Sequence, residues 1–181
     1  RMTLDAVHVD VHYRLGTTVG EDEYRGAWDI LSDDERARAL KFVFAADRER
    51  FVVAHALLRR ALSRYADVAP AAWRFVENEW GKPSVAADCS LRFRFNLAHT
   101  DGLVACAVSQ QDVGIDVEAL DRRVQGIEIA SRFFSPDEVA ALMACAGSQR
   151  DMRFLELWTL KESYVKGRGT GLSHPLNTFG F

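Results

Sequence analysis

Two capping boxes fix where two helices of this chain must begin, one in each half of the sequence. Ser32-Asp-Asp-Glu35 and Ser135-Pro-Asp-Glu138 each pair a serine that accepts from first-turn amides with a glutamate that reaches back. In the second box a proline stands at the first helical position, where its missing N–H costs nothing. The sequence therefore predicts a helix from Ser32 to about Phe44 and another from Ser135 to about Cys145.

A longer helix is predicted after each of these two. The first begins near Ala46 and has apolar residues at helical spacing, typical of a core helix: Phe51, Ala54, Leu58, Ala61, Leu62 and Tyr65. In the second, Trp158, Glu162 and Lys166 follow at i, i+4 and i+8 and so form one stripe, before glycines at 167, 169 and 171 end the helix. Glu162 and Lys166 alone would also suit an ordinary surface ion pair, so the stripe by itself leaves both interpretations open.

Strand patterns occur between and before these helices. Val7, Val9, Val11 and Tyr13 alternate with polar residues, which predicts a strand with these apolar side chains on its buried face. Trp73 and Phe75 indicate a short strand that leads into a turn with Lys82 at its tip. Arg92 to Phe95 alternate in the same way, and residues 96–109 then read as a hairpin in which His99 lies at a strand end.

The segment Val113-Gly-Ile-Asp-Val-Glu118 is the most suggestive of chemistry. As a strand it would turn Val113, Ile115 and Val117 to the core and Gly114, Asp116 and Glu118 to the other face. Two carboxylates so close repel each other unless a cation lies between them, and oxygen ligands suit Mg2+ or Mn2+. A solvated polar strand face is the alternative for this pattern alone.

Composition excludes several classes of protein. A net charge of -3 argues against a nucleic-acid binder, so any basic site must be local. No apolar run approaches the roughly 20 residues that span a bilayer, and no signal pattern opens the chain, so we expect a cytoplasmic protein without membrane contact. Cys89, Cys106 and Cys145 are far apart, which favours reduced thiols.

Three motifs in order resemble those of the phosphopantetheinyl transferases of the larger, surfactin-synthetase type: Asn96-Leu-Ala-His-Thr100, Gly114-Ile-Asp-Val-Glu118 and Trp158-Thr-Leu-Lys-Glu-Ser-Tyr-Val-Lys166. The resemblance extends from the Ser32 helix to Phe179. It implies two similar α+β halves in a pseudo-symmetric arrangement, residues 1–110 and 111–181, with coenzyme A between them. The second half would then be incomplete in its C-terminal strands.

The resemblance also implies roles for single residues. Asp116, Glu118 and Glu162 match the ligands of Mg2+, or Mn2+, and Glu162 is the candidate base for a carrier-protein serine. Lys166 matches the lysine that neutralises the bridging oxygen of the pyrophosphate. Contacts to coenzyme A are expected from His99, Thr100, Lys82, Arg38, Lys41 and Lys166. Ala98 stands where the family usually has a serine, so one hydroxyl contact to phosphate is expected to be lost. Which of Arg36, Arg38, Lys41, Arg48 and Arg50 reach the 3′-phosphate is left open.

The implied reaction is transfer of the 4′-phosphopantetheine arm of coenzyme A to a serine of an apo acyl or peptidyl carrier protein, with release of 3′,5′-ADP. Two alternatives stay open: an inactive module that binds coenzyme A or a carrier protein, and a Mg2+-dependent phosphohydrolase. A complete chain is expected to be monomeric. Thr178, Phe179 and Phe181 read as the start of a strand. We therefore expect either a longer gene product or self-association through an uncovered edge near Phe179.

Overall fold

The computed structural model describes residues 8–16, 18–86, 93–121, 126–171 and 174–181. The first half contains β1 (Val9–Leu15), α1 (Glu21–Trp28), α2 (Asp33–Ala39), α3 (Ala45–Leu62), a 3-10 turn (Pro70–Ala72), β2 (Phe75–Glu77), β3 (Pro83–Val85), β4 (Arg94–Thr100) and β5 (Leu103–Ser109). The second half contains α4 (Gly126–Phe133), α5 (Pro136–Ala144), α6 (Gly147–Arg168) and a 3-10 turn (Leu176–Thr178). The predicted α+β class is confirmed.

Both capping boxes form as the sequence predicts. Ser32 Oγ accepts from the Glu35 amide at 3.3 Å, and the Glu35 carboxylate accepts from the Ser32 amide at 2.8 Å. The second box closes in the same way at the start of α5. The helix after the first box is shorter than predicted, because α2 ends at Ala39 and the chain reaches α3 through a non-helical linker that includes Phe44.

The larger sheet has the strand order β1-β5-β4, and all its neighbours are antiparallel. Helix α3 packs on one face of it and supplies the core of the first half. The residues predicted for this core are buried: Phe51, Ala54, Leu58, Ala61, Leu62 and Tyr65. Strands β2 and β3 form a separate two-stranded hairpin, whose tip extends towards the second half.

The prediction for β1 has the wrong face buried. Val11 is 54% exposed and Tyr13 is 64% exposed, whereas Asp10 and His12 lie on the face that α3 covers. Tyr65, in the turn just after α3, explains this choice, since its hydroxyl donates to Asp10 at 2.8 Å and contacts His12 Nε2 at 2.6 Å. Alternation predicts that the two faces differ, but not which of them meets a helix. Val7, Cys89 and Arg92 lie outside the described residues.

The second half is built around α6, which packs against α4 and α5. Its core contains Ala130, Phe134, Leu142, Phe154, Leu155 and Leu157. The three helices repeat the order of the first half, with two short helices, the second opened by a capping box, and then a long one. None of the helices in the described ranges combines the length and apolar character needed to cross a membrane. Cys106 and Cys145 are free thiols.

The chain end differs from its prediction. Thr178 belongs to a 3-10 turn, so a strand does not begin there. Phe179 has extended backbone, with φ -142° and ψ 158°, but within the described ranges it pairs with no strand. Lys161 determines this path, because its ammonium binds the carbonyl oxygens of Leu176 and Phe179 at 2.7 and 2.6 Å. Self-association near Phe179 stays a prediction.

Candidate active site

Residues 113–118 form an extended segment held between β4 and α6. The predicted strand is wrong, since no sheet pairing includes these residues in the part of the chain that the structure describes. On one side the Ile115 amide donates to the side chain of Asn96 in β4 at 2.8 Å. On the other side Gly114 lies against α6, and a Cβ added to it would stand 1.8 Å from the Ser163 carbonyl oxygen. The alternation predicted extended backbone correctly, but this segment packs on a helix instead of pairing with a strand.

Asp116 and Lys166 form an ion pair that joins two of the motifs. The Lys166 Nζ lies 2.5 Å from Asp116 Oδ1, although the residues are 50 positions apart. The side chain of Asp116 is only 9% exposed. Its second oxygen, Oδ2, is buried without a hydrogen-bond partner. A buried carboxylate oxygen without a partner is unfavourable, so this atom marks a position where a ligand or cation would be stabilised.

Two further carboxylates lie close to this ion pair. Asp116, Glu118 and Glu162 line one cavity of about 750 Å³, together with Trp158 of α6 and the wall at residues 174–177. Burial, together with the charge of Glu118, raises the pKa of Asp116 against the opposing effect of Lys166. Burial and then the charge of Asp116 raise the pKa of Glu162. Both carboxylates are thus partly removed from water and also lie near other negative charge, and both effects disfavour the ionised form.

The donor set of this cavity fits a divalent cation, although the described residues contain no ready cluster of three His, Cys, Asp or Glu side chains. Carboxylate oxygens are the ligands that Mg2+ prefers. Asp116 provides a buried oxygen that lacks a partner, and a cation would relieve the repulsion between Asp116 and Glu162. In the structure, the Lys166 ammonium already offsets part of this negative charge.

His99 lies at the surface of β4, at the centre of a group of cations. Partial desolvation lowers its pKa first, and the positive charges of Arg50, Lys166 and His55 lower it further. Arg50 reaches this place from the first turns of α3, where it is paired with Asp101 and its Nε is buried without a hydrogen-bond partner. Crowded cations of this kind are stabilised by an anion such as phosphate.

The five basic residues from Arg36 to Arg50 have different partners and surroundings in the structure. Arg36 donates to the carbonyls of Trp28 and Asp29 and is therefore tied to the end of α1. Arg48 lines a cavity beside α1. Arg38 pairs with Glu77 of β2 at 2.7 Å, and Lys41 is exposed after the end of α2. Only Arg50 of the five contributes to the electrostatic environment of His99 among the described residues.

Lys82 connects the hairpin tip to the second half. Its Nζ donates to the carbonyl of Gly167 at 2.5 Å and to that of Val113 at 3.4 Å. Burial lowers the pKa of this ammonium, and the charge of Asp112 opposes that effect. Lys82 also lines a cavity of about 230 Å³ that Glu162 and Lys166 line from the other side.

The structure thus brings the predicted residues into two neighbouring groups. Asp116, Glu118 and Glu162 share one cavity, and His99 lies in a basic group that Lys166 connects to it. Arg38 pairs with Glu77 and lines a neighbouring cavity together with His55, and Lys41 is exposed after the end of α2. The arrangement suits a ligand with two phosphoryl groups. One would lie near the carboxylates that can hold a cation, and the other near the positively charged side chains around His99.

Sequence reasoning missed Asn96 and did not select Arg50. Asn96 is 7% exposed and holds the segment that carries Asp116. The sequence could have indicated Asn96, because a polar side chain at a buried position of a strand needs a hydrogen-bond partner. Arg50 had none, because five basic residues lay close together in the sequence and only the direction of α3 separates them.

Comparison with known proteins identifies relatives over nearly the whole chain. A model of the 4′-phosphopantetheinyl transferase superfamily matches residues 112–181, and a model described as 4′-phosphopantetheinyl transferase, N-terminal, matches residues 18–111. A 4′-phosphopantetheinyl transferase of Bacillus subtilis is 35% identical over 162 residues, which are 90% of this chain and 70% of the relative. The 4′-phosphopantetheinyl transferase Sfp of Bacillus subtilis strain 168 is 32% identical over 161 residues, 89% of this chain and 70% of Sfp. HetI of Nostoc sp. PCC 7120, a 4′-phosphopantetheinyl transferase, is 34% identical over 173 residues, 93% of this chain and 71% of HetI.

Proposed function

The chain belongs to the 4′-phosphopantetheinyl transferase superfamily, a family of enzymes, and we propose that its acceptor is the serine of an apo acyl or peptidyl carrier protein. In this reaction the serine oxygen forms a bond to the pantetheine-side phosphorus of coenzyme A. The bond from that phosphorus to the bridging oxygen breaks, and 3′,5′-ADP leaves with the electron pair. The serine proton passes to a base of the enzyme.

The contact between Asp116 and Lys166 carries this proposal. It places the Asp116 carboxylate, which lines the same cavity as Glu162, against the ammonium of another motif. Attack on a pyrophosphate requires negative charge to be neutralised on both the attacked and the leaving phosphoryl groups. A carboxylate pair that can bind a cation, with a lysine beside it, supplies positive charge to both phosphoryl groups.

Asp116, Glu118 and Glu162 would hold Mg2+, with Mn2+ as the alternative ion. When bound, the ion would supply positive charge to the phosphoryl oxygens. Lys166 would neutralise the bridging oxygen as the bond to 3′,5′-ADP breaks. Glu162 would accept the proton of the serine, because it lies in the same cavity as Asp116 and projects from the rigid helix α6.

The 3′-phosphate of coenzyme A would bind beside His99. Arg50 supports this proposal most directly, since it is charged, faces His99 and has a buried Nε without a partner. Thr100 follows His99 on β4 and would contribute its hydroxyl. Arg38 and Lys41 stay proposals for the edge of this site. Lys82 would contact coenzyme A from the small cavity that it shares with Lys166.

The test is a panel of apo acyl and peptidyl carrier proteins incubated with the protein, coenzyme A and Mg2+, and read by intact mass. We expect at least one carrier to gain a single phosphopantetheine arm. A folded protein that modifies no carrier of either class would contradict the proposal. Breakdown of coenzyme A without any carrier would instead indicate the phosphohydrolase, and binding of coenzyme A without either reaction would indicate an inactive module.

A further inference from the structure

The turn between β2 and β3 is anchored to the end of α6 by the side chain of Asn78. Its Oδ1 accepts from the amides of Trp80 and Lys82, at 3.0 and 2.8 Å, and so shapes the turn. Its Nδ2 donates to the carbonyl of Gly169 at 2.9 Å, across 91 positions of sequence. The oxygen of the Asn78 amide therefore binds within the first half, and its nitrogen binds the second half.

This contact occurs where α6 ends. Gly169 adopts the left-handed conformation, with φ 68°, and its amide closes the last turn on the Val165 carbonyl. A Cβ on Gly169 would stand 2.7 Å from the Cδ of Lys82, so the turn and the helix end are in close contact. The last carbonyls of a helix lack partners within the helix, and here side chains of the turn supply them.

Lys166 lies in that last turn. Its ammonium faces Asp116, and the backbone that carries it is held from the other half through the carbonyls of Gly167 and Gly169. The cavity between turn and helix is lined from both sides, by Trp80 and Lys82 on one and by Lys166 on the other. A shift of the turn would therefore move the ammonium relative to a ligand in this cavity.

We propose that Asn78 is a positioning residue for the transfer reaction, which holds the last turn of α6 so that Lys166 meets the pyrophosphate of coenzyme A. This rests on the role proposed above for Lys166. Asn78 itself lines neither the cavity of the carboxylates nor the small cavity of Lys82 and Lys166. Its influence passes through Gly169 and the helix end, over the few residues that separate Gly169 from Lys166.

Asn78→Asp isolates this link. The carboxylate keeps both acceptor contacts to the turn, but it loses the donor and places negative charge against the Gly169 carbonyl. Glu79→Ala in the same exposed turn is the matched control. Coenzyme A affinity is measured by calorimetry for both variants, in the parent and in a Lys166→Ala background, with kcat and KM for the carrier as a second readout.

We expect Asn78→Asp to weaken coenzyme A binding about five- to tenfold and to lower kcat, the size of one lost hydrogen bond with added repulsion. The KM for the carrier should stay within about twofold, and Glu79→Ala should match the parent. In the Lys166→Ala background, Asn78→Asp should have no further effect on affinity, because coupled residues are not additive.

Two results would overturn the inference. If Lys166→Ala weakens binding but Asn78→Asp either does not, or weakens it by the same factor in both backgrounds, Asn78 does not act through Lys166. If Lys166→Ala leaves the affinity unchanged, the role proposed for Lys166 is wrong, and the positioning role of Asn78 fails with it.

Discussion

Arg59 and Lys161 make the same set of contacts in the two halves of the chain. Arg59 of α3 binds the capping-box carboxylate of Glu35 at 2.7 Å, and Lys161 of α6 binds that of Glu138 at 2.8 Å. Both cations are fully buried, at 1% and 0% exposure.

Each of these cations also donates hydrogen bonds to backbone carbonyls in the segment that follows its helix. Arg59 donates to the carbonyls of Pro70 and Trp73, at the 3-10 turn after α3. Lys161 donates to Leu176 and Phe179, at the 3-10 turn after α6. The repeated contacts accompany the same helix order in both halves, and they assign Lys161, in the middle of the third motif, a structural role.

Replacing Lys161 by Met should destabilise the fold by about 3–5 kcal/mol, because it leaves the carboxylate of Glu138 buried and unpaired. The double variant Glu138→Gln, Lys161→Met should lose less than the single one, since no charge is left behind. Urea unfolding followed by circular dichroism measures both. Arg25→Met on the surface of α1 is the control, expected within about 0.5 kcal/mol of the parent. Equal losses in the single and double variants would refute this account.

Acid should reveal the ion pair of the first half. Burial raises the pKa of Glu35, but hydrogen bonds from His55 and the Ser32 amide, with the charge of His55 and a bond from Arg59, lower it to about 2 from 4.5. A lowered folded-state pKa stabilises the protein fully above pH 4.5 and loses that contribution as the pH falls towards 2. The loss amounts to roughly 3 kcal/mol at most.

The free energy of unfolding, measured from pH 6 to pH 2 in the parent and in Glu35→Gln, checks this. The parent should lose stability more steeply than the variant below about pH 4.5, where the carboxylate of the unfolded chain takes up its proton. Parallel curves for the two proteins across that window would show that Glu35 has no lowered pKa.

Much of this fold could be predicted from the sequence, and the failures share a cause. Local sequence patterns, in which the interacting residues are close in sequence, predict the capping boxes, α3, α5, α6 and the β4–β5 hairpin. The buried face of β1 and the pairing of residues 113–118 depend on which element lies opposite, which a single sequence does not state. Helices α1 and α4 were missed because each is only eight residues long and has no capping box in the sequence, whereas α3 and α6 are long enough to show helical spacing without one.

The residues of the site also divide into those that the sequence predicts and those that only the structure identifies. The sequence motifs contain Asp116, Glu162 and Lys166, and the resemblance to a family assigned their roles. The choice of Arg50 over its basic neighbours, and the anchoring of Lys82 on α6, required the direction of each side chain. Asn78 carries no motif at all, and only the contact with Gly169 reveals it.

Gly114→Ala should abolish transfer while leaving most of the fold intact. Its methyl group would meet the Ser163 carbonyl at 1.8 Å, so residues 113–118 must move away from α6 and separate Asp116 from Lys166. A destabilisation of about 1–3 kcal/mol is expected from the overpacking. Gly20→Ala is the control, because nothing lies within 4 Å of its added methyl. Full activity of Gly114→Ala would show that the segment can shift without consequence.

Arg50→Ala and His99→Ala should each reduce the preference for coenzyme A over dephospho-coenzyme A, which lacks the 3′-phosphate. A charge-assisted contact contributes about 1.5–3 kcal/mol, so the parent should bind coenzyme A at least about tenfold more tightly. Arg48→Ala, on the same helix but facing the cavity beside α1, should keep the parent's preference. Calorimetric titration of both ligands decides, and undiminished discrimination in Arg50→Ala and His99→Ala would place the 3′-phosphate elsewhere.

The most direct test compares Asp116→Ala with Asp112→Ala in transfer to an apo carrier protein, followed by intact mass as Mg2+ is varied. Asp112 is an exposed carboxylate shortly before the segment that carries Asp116. We expect Asp112→Ala to load the carrier like the parent and Asp116→Ala to give no loaded carrier at any Mg2+ concentration, while both remain folded by circular dichroism. Loading of the carrier by Asp116→Ala at the parent's rate under limiting Mg2+ would contradict the central claim that this carboxylate and Lys166 form the active site.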